Sequence, residues 1–112
     1  MQEGGGIEMT KMAKRKATVL LADVPEDKRF WCADGRALKN LSELGSALDD
    51  MSAETFAHHS SEDKNDFAIW VRDVIGDKTL ASDLGKLLDR SKAAQRVASR
   101  VAFLTGKSKS SG

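Results

Sequence analysis

The side chains able to do chemistry are few, and most of them crowd into one stretch. His58 and His59, the only histidines, are followed by Glu62, Asp63 and Asp66, a cluster of the type that could hold a divalent cation or carry out acid–base work. Adjacent histidines point in different directions on a helix or a strand, and no second His or Cys pair stands at ligand spacing. A structural or capping role for His59 therefore outweighs ligation, and no metal site is predicted. Cys32 could be imagined as a nucleophile with His59 as its base. Neither residue has a family signature around it, and no set of oxyanion donors is evident. In an apolar, strand-like segment Cys32 reads instead as a small core residue. Phosphate loops are missing too: Gly4-Gly5-Gly6 precedes no strand-to-helix unit, and Gly106-Lys107-Ser108 closes a helix rather than opening one. The expectation is a protein that is not an enzyme and takes no cofactor.

Binding residues are easier to nominate. Asn65, Asp66 and Asp73, with His59, are the candidates for a partner contact, since two aspartates at offset seven share one helix face and could receive a basic group. The competing reading has Asn65 and Asp66 complementing a helix N-terminus while Asp73 pairs with a neighbouring Arg or caps the following turn. A second set is basic: Lys14, Arg15, Lys16, Lys92, Arg96, Arg100 and Lys107, together with Lys11 and Lys109, could neutralise phosphates. No aromatic residue is interleaved among them and Tyr is absent, so such a contact would follow a backbone without stacking on bases. Trp70 belongs to an apolar stripe and is expected in the core, whereas Trp31 could equally serve as an interface anchor.

The elements that must position these residues are mostly helical. Residues 1–16 combine three successive glycines with Lys14-Arg15-Lys16 and read as a flexible basic arm. Ala17 to Ala22 is apolar and partly β-branched, ends before Pro25, and reads as a short strand. Arg29 to Ala33, closed by the Asp34-Gly35 turn signal, is a second, and the two could pair as a hairpin. From Asn40 the apolar period becomes helical. Leu41, Leu44, Leu48 and Met51 share one face behind an Asn40 cap with Glu43 placed for a capping box. Ser52 caps a short helix that ends around His58 to Ser61. Phe67, Trp70, Val71, Val74 and Ile75 form the strongest stripe, led by the acidic Glu62-Asp63 and stopped by Gly76. Asp77 caps a helix with the stripe Leu80, Leu84, Leu87 and Leu88. Ser91 caps the last one, whose face is Ala94, Val97, Ala98, Val101 and Leu104, with Gly106 at its end. The fold class is mostly α: four to five short helices in a single domain over residues 17–105, with room for a short N-terminal β-hairpin, and a disordered polar tail at 106–112.

The run from Phe30 through Asp34-Gly35-Arg36-Ala37-Leu38-Lys39-Asn40-Leu41, Met51 and Phe56-Ala57-His58-His59 to Lys64-Asn65-Asp66-Phe67-Ala68-Ile69-Trp70-Val71-Arg72-Asp73-Val74-Ile75-Gly76-Asp77 resembles a small family of archaeal and bacterial domains of unknown function. The resemblance covers roughly residues 28 to 100, and its most specific piece is Lys-Asn-Asp-Phe-x-x-Trp-x-x-Asp-Val-x-Gly-Asp. Members often carry Asn where this chain has Ser61, which argues against a polar site built on that residue. Membership implies a compact helical module and no particular activity.

Composition limits the functional classes. With 112 residues, 40% of them hydrophobic and 31% charged, the chain should fold as one domain, and a deep substrate cleft would consume much of its core. The single Cys32 forms no internal disulfide, no apolar run is long enough to span a bilayer, and no signal peptide is read, so a cytoplasmic protein without a membrane partner is predicted. The net charge of +1 conceals an uneven distribution: residues 21–90 hold nine basic against fifteen acidic residues, residues 91–112 hold five basic and none acidic, and residues 1–20 hold four basic and two acidic. An acidic body with basic ends favours a non-enzymatic helical interaction or assembly module that binds a protein or associates with itself. The alternative is a nucleic-acid or ribosome-associated protein working through the basic ends. A small enzyme or metal-dependent regulator built on His59, Asp66 and Cys32 is the third reading.

Overall fold

The computed structural model describes residues 13–61 and 63–109. Six α-helices and a two-stranded hairpin are found among them: α1 (Lys14–Leu21), a 3-10 turn (Glu26–Lys28), β1 (Phe30–Trp31), β2 (Ala37–Leu38), α2 (Leu41–Asp50), α3 (Ala53–His59), α4 (Asp66–Trp70), α5 (Lys78–Leu84) and α6 (Arg90–Ser108). The mostly-α expectation holds. α4 runs directly into a π-helical turn over Val71–Ile75.

Local chemistry sets most of these boundaries. Asn40 accepts from the Glu43 N–H at 2.8 Å, and Glu43 Oε1 accepts from the Lys39 N–H at 3.0 Å, a capping box shifted back by one residue. Ser52 caps α3 through the Thr55 N–H, Asn65 caps α4 through that of Ala68, and Asp77 caps α5 through that of Leu80. Gly76, at φ 92°, ends the π turn in a left-handed conformation that costs a side-chain-bearing residue more, and its N–H donates to the Val71 carbonyl.

Several boundaries differ from expectation. Ala17 to Ala22 is not a strand: Thr18 and Val19 sit inside α1, which places Ala17 and Leu20 one turn apart on a buried face. A six-residue run with five apolar members carries no usable period, and packing on α6 decides in favour of helix. The same helix takes in Lys14, Arg15 and Lys16, so these three are not part of a flexible arm; residues 1–12 of the expected arm lie outside the described residues. The hairpin pairs β1 with β2, Phe30 opposite Leu38 and Trp31 opposite Ala37, with Gly35 at φ 98° in the turn. α4 begins after Asn65 rather than at the acidic pair Glu62-Asp63. α5 stops at Leu84, leaving Leu88 exposed outside it. α6 is capped by Asp89, not Ser91, and passes through Gly106 to Ser108, so residues 106–108 of the expected disordered tail are helical; residues 110–112 lie outside the described residues.

The core joins these pieces. α6 is the long spine, with α2 and α1 packed along it. Gly45 lets α2 approach closely, since a Cβ there would stand 3.3 Å from Val97 Cγ1. Leu41, Leu44, Leu48, Val71, Leu80, Leu84, Val97 and Leu104 are fully enclosed. At one end Phe67 stacks on Phe30 and Phe56, with centroids 5.2 and 5.7 Å apart, and Trp70 meets Phe30 edge-on. None of the described helices is long and apolar enough to cross a membrane.

Candidate functional site

His59 lies in the last turn of α3 and faces inward, where the aromatic cluster closes over it. Its ring meets Phe30 edge-on at 5.1 Å and Phe67 at 5.4 Å. Both nitrogens are engaged: Nδ1 is 2.9 Å from Asp66 Oδ2, and Nε2 accepts the Ala33 N–H at 2.9 Å. Nε2 can accept only if it carries no proton, so this pairing selects the Nδ1–H tautomer, which then donates to the carboxylate. The arrangement ties α3, the start of α4 and the hairpin together at one buried point. It also leaves no lone pair on His59 for a metal or a substrate proton.

Asp66 reaches outward with its second oxygen, 3.2 Å from Lys64 Nζ. Burial pushes its carboxyl up, but the hydrogen bonds from His59 and Lys64, together with the positive charge of Lys64, outweigh this and hold it below the usual carboxylate range. A carboxyl with a depressed folded-state value stabilises the fold fully above about pH 4, the unfolded value, and loses that contribution as the pH falls through the lower folded one. In urea titrations from neutral pH downward, the wild type should lose stability on this limb and Asp66→Asn should lose less of it. An unchanged slope would remove Asp66 as its source.

Asn65 completes the corner. Its Oδ1 caps α4, and its Nδ2 donates to the Leu84 carbonyl at 2.9 Å and to Ser60 Oγ at 3.3 Å, so one side chain fastens α4 to the end of α5. Replacing it with Ala should cost about 2 kcal/mol, the upper end for a lost cap, because a part-buried carbonyl also loses its donor. Chemical denaturation measures this, and a loss below about 0.5 kcal/mol would contradict the double role.

Asp73 does not join this group. It sits exposed beyond the first residues of the π turn and pairs with Arg72, Nε to Oδ1 at 2.8 Å and Nη2 to Oδ2 at 3.1 Å. That contact lowers the Asp73 carboxyl and raises the Arg72 guanidinium. The nominated partner residues thus divide: His59, Asp66 and Asn65 form one internal joint, and Asp73 belongs to a surface pair. Cys32 is buried, and burial, with the Asp34 charge adding, pushes its thiol up to about 11. It stays a thiol at neutral pH, the opposite of what a nucleophile requires. No group of three or more His, Cys, Asp or Glu able to hold a metal occurs among the described residues. No family model, curated protein or solved structure matches the chain.

The basic candidates are sorted as sharply. Arg100 is not on an outward face: it is buried, and Nε and Nη2 bond both oxygens of the fully enclosed Asp77 at 2.8 and 3.0 Å. Arg96 is held by Asp83 at 2.7 Å. Both are thereby removed from the phosphate-binding candidates. Lys14, Arg15, Lys16 and Lys92 are exposed and Lys107 is half-buried, and none has a carboxylate partner among the described residues. The Asp77–Arg100 pair is the residue set that sequence reasoning missed. The available signal was spacing, since Ala93, Val97, Arg100 and Leu104 continue one helical face that the choice of Ala98 had displaced.

Shallow clefts mark the surface of the described residues. One of about 430 Å³ follows the α2–α6 seam past Gly45 and Ala98. Another, about 440 Å³, lies beside Asn65 between Lys64, Arg72, Lys78 and Ser82. His59, Asp66 and Cys32 line neither of them.

Proposed function

We propose that the protein is a non-catalytic helical module that works by binding, either to a partner or to further copies of itself. The observation that carries this reading is the state of the side chains with the greatest chemical capacity. His59 spends both ring nitrogens on Asp66 and Ala33, and Cys32 is buried as a thiol, so the set that could have formed an acid–base or nucleophilic centre acts as a structural joint. A compact helical body with exposed apolar residues such as Trp31 and Leu88 offers surface to a partner rather than a chamber to a substrate.

Tagged protein recovered from native lysate, with one half of the sample treated with nuclease, tests this together with sedimentation of the pure chain over a wide concentration range. A partner in fixed ratio, or reversible self-association, is the expected result. Binding should survive His59→Gln at temperatures where that variant stays folded. A chain that remains monomeric and recovers nothing from either half overturns the reading.

A further inference from the structure

We infer that the paired helices α1 and α6 form a polyanion-binding face that takes the phosphodiester backbone of a nucleic-acid duplex; this rests on the binding-module reading and names its partner. The first observation is an absence that the sequence spreads over two distant segments and the fold unites. Neither residues 13–22 nor residues 90–109 contain Asp or Glu. α1 packs along α6, which brings the two segments within about 10 Å, one helix diameter. In an otherwise acidic body neither helix contributes a negative charge of its own, and the carboxylates that reach α6 are already engaged, Asp77 by Arg100, Asp83 by Arg96 and Asp89 as the helix cap.

The second observation is which cations on it remain available. Arg90 donates to the Leu48 and Asp49 carbonyls, Arg96 to Asp83 and Arg100 to Asp77. Lys14, Arg15, Lys16, Lys92, Lys107 and Lys109 have no carboxylate partner among the described residues. The structure therefore removes the internally committed arginines and leaves a set composed mainly of lysines, suited to contacting phosphates as point charges.

The third concerns what lies between the cations. The exposed positions of α6 include Lys92, Gln95, Ser99, Ala102, Gly106 and Lys109, at spacings of three and four. This line is about 26 Å long at 1.5 Å per residue, with a lysine at each end and short or uncharged side chains between. Phe103, the large apolar residue exposed on α6, has Arg100 Cζ 5.3 Å and Lys107 Nζ 5.7 Å from its ring centroid. The ring thus already engages two cations, one of them buried beneath it, and stands as a single aromatic among polar neighbours. A polar, cation-ended strip fits a hydrophilic phosphate backbone better than a lipid surface, which would draw on a broad apolar face. Contacts of this kind position a duplex without reading its sequence.

Fluorescence anisotropy with a labelled mixed-sequence DNA duplex provides the test, with KCl varied from about 50 to 200 mM. Engagement of most of the six cations gives a slope of log K against log salt of about −4 to −5. The triple variant Lys14→Gln, Arg15→Gln, Lys16→Gln should flatten the slope by about 2 to 3, and Lys107→Gln with Lys109→Gln by about 2. Lys86→Gln, outside both helices, should leave it unchanged. The proposal is overturned if no duplex binds at the lowest salt, if the variants bind with the wild-type slope, or if vesicles containing phosphatidylserine bind while duplex does not. Failure here alongside a nuclease-resistant protein partner or self-association would sink only the assigned surface; failure of all three would sink the module reading as well.

Discussion

Trp70→Ala should remove a large share of the stability of the fold. Trp70 is buried where α4 meets the hairpin, its ring lies 5.8 Å from that of Phe30, and its Nε1–H donates to the Lys28 carbonyl at 2.8 Å. Truncation empties a large part of the aromatic cluster, where Phe30, Phe56 and Phe67 are already stacked and cannot all collapse into the space. It also strips a donor from a backbone carbonyl. Removing a buried tryptophan costs about 3–5 kcal/mol, against about 5–15 kcal/mol of total stability for a small domain. Trp31→Ala supplies the internal contrast: Trp31 is 65% exposed at the outer face of the hairpin, and its loss should stay within about 1 kcal/mol. Urea denaturation followed by circular dichroism separates the two, and similar midpoints for both variants would show that Trp70 is not in the core.

Asp77→Asn has the second largest expected effect, by a different mechanism. Asp77 is fully enclosed, caps α5 through the Leu80 N–H, and receives both donated bonds of Arg100, which is itself buried under Phe103. Asparagine can still cap, but it leaves a guanidinium inside the protein without its counter-charge. Removing one partner of a buried pair costs about 3–5 kcal/mol, whereas removing both is far milder because no uncompensated charge remains. The double variant Asp77→Asn, Arg100→Met should therefore recover at least about 1 kcal/mol relative to the sum of the single losses. Raising the salt concentration should change the wild-type value little, since the pair is withdrawn from solvent. Additive single losses would mean that the two side chains do not depend on one another.

These two residues show different degrees of legibility. Trp70 was readable because it repeats with Phe67, Val71 and Ile75 on one helical face, a pattern held within nine residues. Arg100 counts among the candidate phosphate contacts in the sequence because charged residues usually lie at the surface. Only the arrival of Asp77, 23 residues away in sequence, makes its burial affordable. His59 follows the same logic. A structural role for it was foreseen, but its partners Ala33 and Asp66 could not be, because the first belongs to a hairpin that pairs with different residues from those expected.

What the sequence determined by itself is the set of local decisions: the caps at Asn40, Ser52 and Asp77, the stop at Gly76, the turn at Gly35 and the apolar stripes of α2 and α4. Each depends on hydrogen bonds or spacings spanning three or four residues, so the information is complete within the segment. The tertiary structure decided the rest. It made Ala17 to Ala22 a helix by laying it against α6, enclosed Arg100 with Asp77, and joined the Lys14-Arg15-Lys16 turn to a helix that begins more than seventy residues later. The physical reason is common to all three. A short apolar run has no period of its own, and a charge has no fixed environment until a distant part of the chain supplies one.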